Sequence, residues 1–293
     1  MNRHADLLLT ALAPAVWGST YVVTTQMLPA GYPLTVALLR ALPAGLLLLL
    51  LVRQLPSGVW WPRTLLLGAL NFSVFWALLF VAAYRLPGGV AATLGAMQPL
   101  FVIVLARLAL GSPIRSLAVI GALAGLFGVA LLVLTPKATL DPIGIAAGLG
   151  GAVSMALGTV LSRRWQPPVP ALTFTAWQLT AGGLLLLPAA LLLEPALPPV
   201  TLLNVTGIAY LGLIGAALTY LLWFRGIARL EPSVVSSLGL LSPVTAVLLG
   251  WALLHQDLSP AQMAGMLIVV ASVWLSQRAQ RVAPPLVTTN TRA

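Results

Sequence analysis

The chain has 293 residues, of which 60% are hydrophobic and 7% charged, with a mean hydropathy of +1.02. A soluble domain carries charge on roughly a quarter of its residues, so this composition excludes one and specifies an integral membrane protein. The net charge of +10 rests on fourteen arginines and one lysine against five acidic residues. With so few charges in all, that excess points to loops held on one side of a membrane, not to nucleic acid, and the absence of cysteine excludes disulfides and thiolate chemistry.

A membrane span needs about 20 mainly apolar residues, because 1.5 Å of rise per residue must cover roughly 30 Å of hydrocarbon. Ten such runs are predicted, over 7–27, 33–52, 64–84, 88–109, 116–134, 143–162, 171–193, 201–224, 232–254 and 259–276. Pro and Gly clusters mark most of the turns, and the short connections leave no room for a soluble domain. The segment 277–293, with its Pro pair and Thr-rich end, reads as a disordered tail. Arg3, His4, an apolar run and Ala13-Pro14-Ala15 imitate a secretory signal. Asp6 interrupts the positive region, however, and nine further spans follow, so the first run is expected to stay as a helix.

The chain contains one stretch twice. Residues 94–105 read LGAMQPLFVIVL and residues 238–249 read LGLLSPVTAVLL, an offset of 144 that extends from 67–131 to 211–275. Arg85/Arg229, Gly68/Gly212 and Gly121/Gly265 stay in register. One half is a diverged copy of the other, with residues 1–138 as the first repeat and 139–276 as the second. Five spans per repeat force the second copy to enter the membrane upside down. The basic residues agree: with a cytoplasmic N-terminus, twelve arginines fall in inside segments and only Arg85 and Lys137 outside. Both termini are therefore expected in the cytoplasm. Inverted repeats of this kind recur in secondary transporters, where two oppositely oriented copies exchange conformations around a midplane site.

The candidate substrate-binding residues follow in chain order. The first span carries Trp17-Gly18, and the second carries Arg40, the one charged side chain placed well inside the bilayer, about 12 Å from Tyr32. Arginine at a helix centre costs about 2.5 to 3.5 kcal/mol on insertion scales. Two readings stand: Arg40 bonds carbonyls that Pro43 frees in its own helix, or it meets a substrate carboxylate. The third span offers Asn71 with Phe75 one turn along, and Trp76 with Phe80 on a stripe that Tyr220 and Phe224 repeat in the eighth span. In the fourth, Met97 and Gln98 precede Pro99, and the ninth repeats the pattern as Ser242 before Pro243. These prolines are candidate hinges, tolerated where backbone borders a cavity or packed protein. Met155, Trp177 and Gln178 add possible walls, Gln178 standing opposite Arg40 in the repeat. Helix packing and interhelical hydrogen bonding are the competing readings for the aromatic stripes and for Gln98 and Ser242. Trp60 and Trp61 read as interfacial anchors. Gly121, Gly125 and Gly128, like Ser236, Ser237 and Gly239, read as small residues for close helix packing.

Ten spans in two inverted copies, Trp17-Gly18, Arg40 and the spaced Pro99 and Pro243 together resemble the drug/metabolite transporter superfamily, in its EamA-type branch. The resemblance implies a ten-helix exporter of amino acids, aromatic ones among them, or of related metabolites. The family often places Gly-Glu where this chain has Gly111-Ser112 and His255-Gln256, so any role of those acids is missing here.

The expected fold is thus an all-α integral membrane protein, ten transmembrane helices as two inverted five-helix repeats. The expected function is export of hydrophobic or aromatic amino acids across a bacterial inner membrane by alternating access. No intramembrane Asp, Glu, Lys or His is available to trade protons, so facilitated diffusion is expected over proton-coupled antiport. Nucleotide derivatives or neutral drugs are the alternative cargo. No enzyme, cofactor or metal is expected: His4 and His255 lie at segment ends, and neither ligand spacing nor a phosphate loop is present. The partners are a small zwitterion with an apolar side chain and the lipid bilayer, and a monomer is compatible with the sequence.

Overall fold

The computed structural model describes residues 3–86, 88–133 and 141–281. Ten helices are long and apolar enough to cross a membrane: α1 Arg3–Met27, α2 Pro33–Val52, α3 Trp60–Ala83, α4 Val90–Leu110, α5 Ser116–Val133, α6 Pro142–Arg164, α7 Ala171–Leu193, α8 Leu202–Arg229, α9 Pro232–Leu254 and α10 Pro260–Ala279. Leu50, Leu108, Leu192 and Leu267 point outward and are exposed, as an apolar belt against lipid requires. The largest differences from the predicted spans are in α1, which begins at Arg3, in α3, which begins at Trp60, and in α8, which runs on to Arg229. Trp60, expected as an interfacial anchor, is half-buried. It packs inward on Phe174 and Trp177, at centroid distances of 6.3 and 6.4 Å. The last helix continues to Arg281, through the first five residues of the predicted tail. Its remainder and the boundary at 138/139 lie outside the described residues.

Helix pairing follows the duplication. The second and fifth helices of each copy pack on their own counterparts, α2 on α7 and α5 on α10. Other contacts come in exchanged pairs, among them α3 and α4 against α6, and α8 and α9 against α1. The α5/α10 crossing is close because Gly121, Gly125 and Gly128 face Ser272, Ser276 and Gly265, where small residues let backbones approach.

Helix irregularities repeat as well. A π-helical turn occupies Ala69–Ser73 in α3 and Tyr210–Leu218 in α8. The α4 helix is broken at Ala96 and Met97, and α9 at Gly239 and Leu240. At each break the amides turn to carbonyls three residues back, Met97 to Leu94 and Leu240 to Ser237. Pro99 and Pro243 lie in the first turn of the half-helices that follow, where a missing N–H costs no helical bond. The same halves end alike, on left-handed Gly111 and His255. There Ser112 N donates to Ala106 O and Gln256 N to Gly250 O, a matched pair of helix C-caps. The Gly111-Ser112 and His255-Gln256 positions are therefore structural stops in this chain.

Candidate functional site

The breaks in α4 and α9 face a chamber of about 460 Å³, in the size range of small-molecule sites. Gln98 and Pro99 from α4 and Gly239, Ser242 and Pro243 from α9 form one side. Trp17, Phe75, Trp76, Tyr220, Trp223 and Met155 supply the apolar walls. A second chamber of about 480 Å³ shares Thr20, Arg40, Trp76 and Leu79 with the first and reaches the α1–α2 loop at Leu28 to Pro33. That loop lies at the end of the bundle opposite the N-terminus, called here the far end.

Arg40 stands between the chambers. Its Nη2 donates to Gly215 O at 2.6 Å, and its guanidinium lies 5.2 Å from the centroid of Trp76, within cation–π range. The accepting carbonyl belongs to the π-helical turn of α8, not to the turn before Pro43. Thr219 Oγ1 donates to the same carbonyl at 2.8 Å and accepts from Trp17 Nε1 at 2.9 Å. One carbonyl thus ties α1, α2 and α8 together beside the chamber. Gly18 allows this closeness: a Cβ there would lie 2.6 Å from Ser242 O and 2.8 Å from Ala246 N.

Toward the N-terminal end the route is closed. Tyr220 packs on Phe72 and Phe224, at 4.6 and 5.8 Å, and Phe224 on Phe174 at 5.7 Å, which continues to Trp60. Beyond these rings, Asp6 Oδ1 accepts from Arg225 at 2.6 Å and from Arg229 at 3.3 Å. Arg163 reaches the last carbonyls of α8 at Ile227 and Ala228.

A profile of the EamA-like transporter family matches twice, over residues 5–134 and 142–277, one match for each five-helix copy. The chain belongs to the EamA-like transporter family. It is 48% identical to Protein PecM of Dickeya dadantii (strain 3937) over 280 residues, 93% of this chain and 94% of PecM. It is 31% identical over 265 residues to the uncharacterized inner membrane transporter YedA of Escherichia coli (strain K12), covering 89% of this chain and 86% of YedA. Identity is 26% over 290 residues to a probable amino-acid metabolite efflux pump of Salmonella typhimurium, with 94% of this chain and 95% of that one covered. A solved crystal structure has the same fold, with a TM-score of 0.81 at 22% identity over 94% of this chain and 99% of that one. As an EamA-like protein the chain is a multi-pass membrane transporter and not an enzyme.

Of the candidate residues, the EamA-like fold brings Trp17, Arg40, Phe75, Trp76, Gln98, Met155, Tyr220 and Ser242, with Pro99 and Pro243, to one chamber. Four others lie elsewhere. Asn71 is fully buried, its Nδ2 donating to Gln178 Oε1 at 2.8 Å and Ser162 Oγ at 3.3 Å. Asn71 and Gln178 thus link α3, α6 and α7 and line neither chamber. Trp177 donates from Nε1 to Gln54 O at 2.6 Å in the α2–α3 loop. Met97 sits in the α4 break and is absent from both linings. Trp223 and Ser236 line the chamber without having been singled out for it. Trp223 stands 144 residues from Leu79, another lining residue, so the repeat itself carried that signal.

Proposed function

We propose that the chain exports small metabolites with an apolar body, hydrophobic and aromatic amino acids foremost, by alternating access and down their gradient. The observation that carries this reading is the aromatic-walled chamber at the paired breaks of α4 and α9, adjoined on the far side by a second chamber that reaches the α1–α2 loop and bordered toward the N-terminal end by packed rings. The arginine bias puts the N-terminal end, with both termini, in the cytoplasm of a bacterial cell, so the chamber faces outward in this conformation. Flat rings and a thioether suit an apolar side chain. The name of the Salmonella relative points the same way. The acidic residues support movement without proton coupling: of the five, only Asp6 is buried, and it is held by two arginines.

Flux of labelled phenylalanine, tryptophan, leucine and methionine in vesicles of purified protein tests this directly. Saturable movement that ignores a pH gradient is expected. Exclusion of both phenylalanine and leucine would overturn the substrate class, and accumulation driven by the gradient would overturn the uncoupled mechanism. Gln98→Ala is expected to weaken substrate affinity several-fold in a normally folded protein; unchanged affinity and flux would take Gln98 out of the site.

A further inference from the structure

The unpaired polar atoms around the chamber share one chemical character. Arg40 Nε, Gln98 Nε2 and Trp223 Nε1 are all buried without a hydrogen-bond partner, and all three residues line the chamber. Buried polar groups in folded proteins are nearly always paired, so each exception calls for an explanation. Arginine and tryptophan side chains can only donate. Gln98 can turn its amide to present either atom, but the other two leave no choice. Their missing partner is an acceptor. Other unpaired atoms, such as Asn71 Oδ1 and Gln178 Nε2, lie in residues that line neither chamber.

The guanidinium also lacks a counter-charge among the described residues. The five carboxylates of the chain are all committed elsewhere or lie at helix ends. Asp6 is held by Arg225 and Arg229, Asp141 by Arg85, and Glu194 accepts from the amides of Leu34 and Thr35 at 2.6 and 2.7 Å. Glu231 precedes α9 and Asp257 lies in the α9–α10 loop. A positive charge between two chambers, satisfied by one carbonyl and one ring face, keeps donor capacity to spare. A carboxylate accepts two N–H bonds from one guanidinium in a geometry that no neutral group matches. No acidic side chain lines either chamber to receive an ammonium.

We propose that Arg40 and Trp223 form a donor-only anchor for the carboxylate of the substrate, so that the chamber selects aromatic carboxylates and rejects aromatic amines of the same size. This rests on the transport reading above and narrows its substrate class. The α-amino group of an amino acid is then tolerated and the carboxylate is required.

The test is direct binding to the purified protein, read by the fluorescence of its tryptophans, three of which line the chamber. The probes are L-phenylalanine, 3-phenylpropanoate and phenethylamine. Phenylpropanoate is expected to bind at least tenfold more tightly than phenethylamine. Arg40→Lys should keep part of this preference, Arg40→Met should abolish it, and Trp223→Phe, which keeps a ring but removes the donor, should weaken the carboxylate alone. Equal binding of acid and amine, binding of neither, or an unchanged ranking in a folded Arg40→Met protein would overturn the anchor. Phenylpropanoate binding without phenylalanine flux would instead overturn the amino-acid reading and leave the anchor standing.

Discussion

Asp6→Asn is expected to destabilise the protein by about 3 kcal/mol and to open its N-terminal end, while Asp141→Asn changes stability by less than about 1 kcal/mol. Both aspartates occupy the same place in the pseudo-symmetry. Each begins the first helix of one repeat and pairs with an arginine near the end of the third helix of the other, and Arg85 and Arg229 are themselves 144 residues apart. The two pairs nevertheless differ. Asp6 is 12% exposed and, besides Arg229 at 3.3 Å, meets a second arginine, Arg225, at 2.6 Å with that side chain 16% exposed, whereas Asp141 is 35% exposed and meets Arg85 at 3.6 Å with that side chain 44% exposed. Removing one partner of a buried pair strands the other charge, whereas an exposed pair is screened. Asparagine at 141 also keeps the oxygen that accepts from Gly144 N at 2.7 Å and caps α6. Thermal unfolding in detergent gives the stability difference. Because the chain has no cysteine, Ser242→Cys puts a single thiol on the chamber wall. An impermeant maleimide should reach it only from the far side in the parent, and from both sides when Asp6→Asn is added. Equal stability losses, or labelling that stays one-sided, would mean that the pair does not hold that end shut.

This asymmetry was not legible in the sequence, because two aspartates at helix starts look equivalent until burial is known. The architecture was. The offset of 144 that aligns Pro99 with Pro243 also aligns the helix breaks to within a residue and the left-handed caps at Gly111 and His255 residue for residue. Spans 33–52, 171–193 and 232–254 match α2, α7 and α9 at both ends. Chamber-lining positions were legible where the repeat and the chain breaks agreed, as at Gln98 and Ser242. They were not legible where helical spacing stood alone. Asn71 was expected to share a face with Phe75, one α-helical turn away, but the π-helical turn at Ala69–Ser73 intervenes. Such a turn holds an extra residue, worth about 100° of rotation. Phe75 therefore reaches the chamber while Asn71 points between α6 and α7. No proline announces that turn. Trp177 and Gln178 lie off the chamber for a different reason: α7 is buried on every face from Thr173 to Gly183, so no periodicity separates the face toward the chamber from the face toward α3. Arg40 was legible as a residue needing an explanation, and its carbonyl partner was not, because that carbonyl belongs to α8.

Gly18→Ala is expected to abolish most of the transport activity, because a single methyl group there separates the two helices on which the chamber depends. A Cβ at residue 18 would fall 2.6 Å from Ser242 O, 2.6 Å from Thr245 Cβ and 2.8 Å from Ala246 N. Two of these atoms are backbone and cannot turn aside as a flexible side-chain end would, so α1 must move away from α9. Overpacking of this kind costs about 1–3 kcal/mol, which a ten-helix bundle survives in detergent. The displacement is the larger effect, since Trp17 is the next residue and its indole ties α1 to Thr219, whose hydroxyl shares Gly215 O with Arg40. Moving α1 therefore shifts together an aromatic wall and the Gly215 carbonyl to which Arg40 donates. Gly95→Ala is the matched control. Gly95 also lines the chamber beside a helix break, but a Cβ there meets nothing within 4 Å, and its flux should stay within about twofold of the parent, a difference of roughly 0.4 kcal/mol in barrier. Flux in vesicles, with the folded fraction measured by gel filtration, separates the cases: loss at Gly18 with Gly95 spared ties transport to the α1/α9 crossing, and equal loss at both would place the sensitivity in the chamber lining instead.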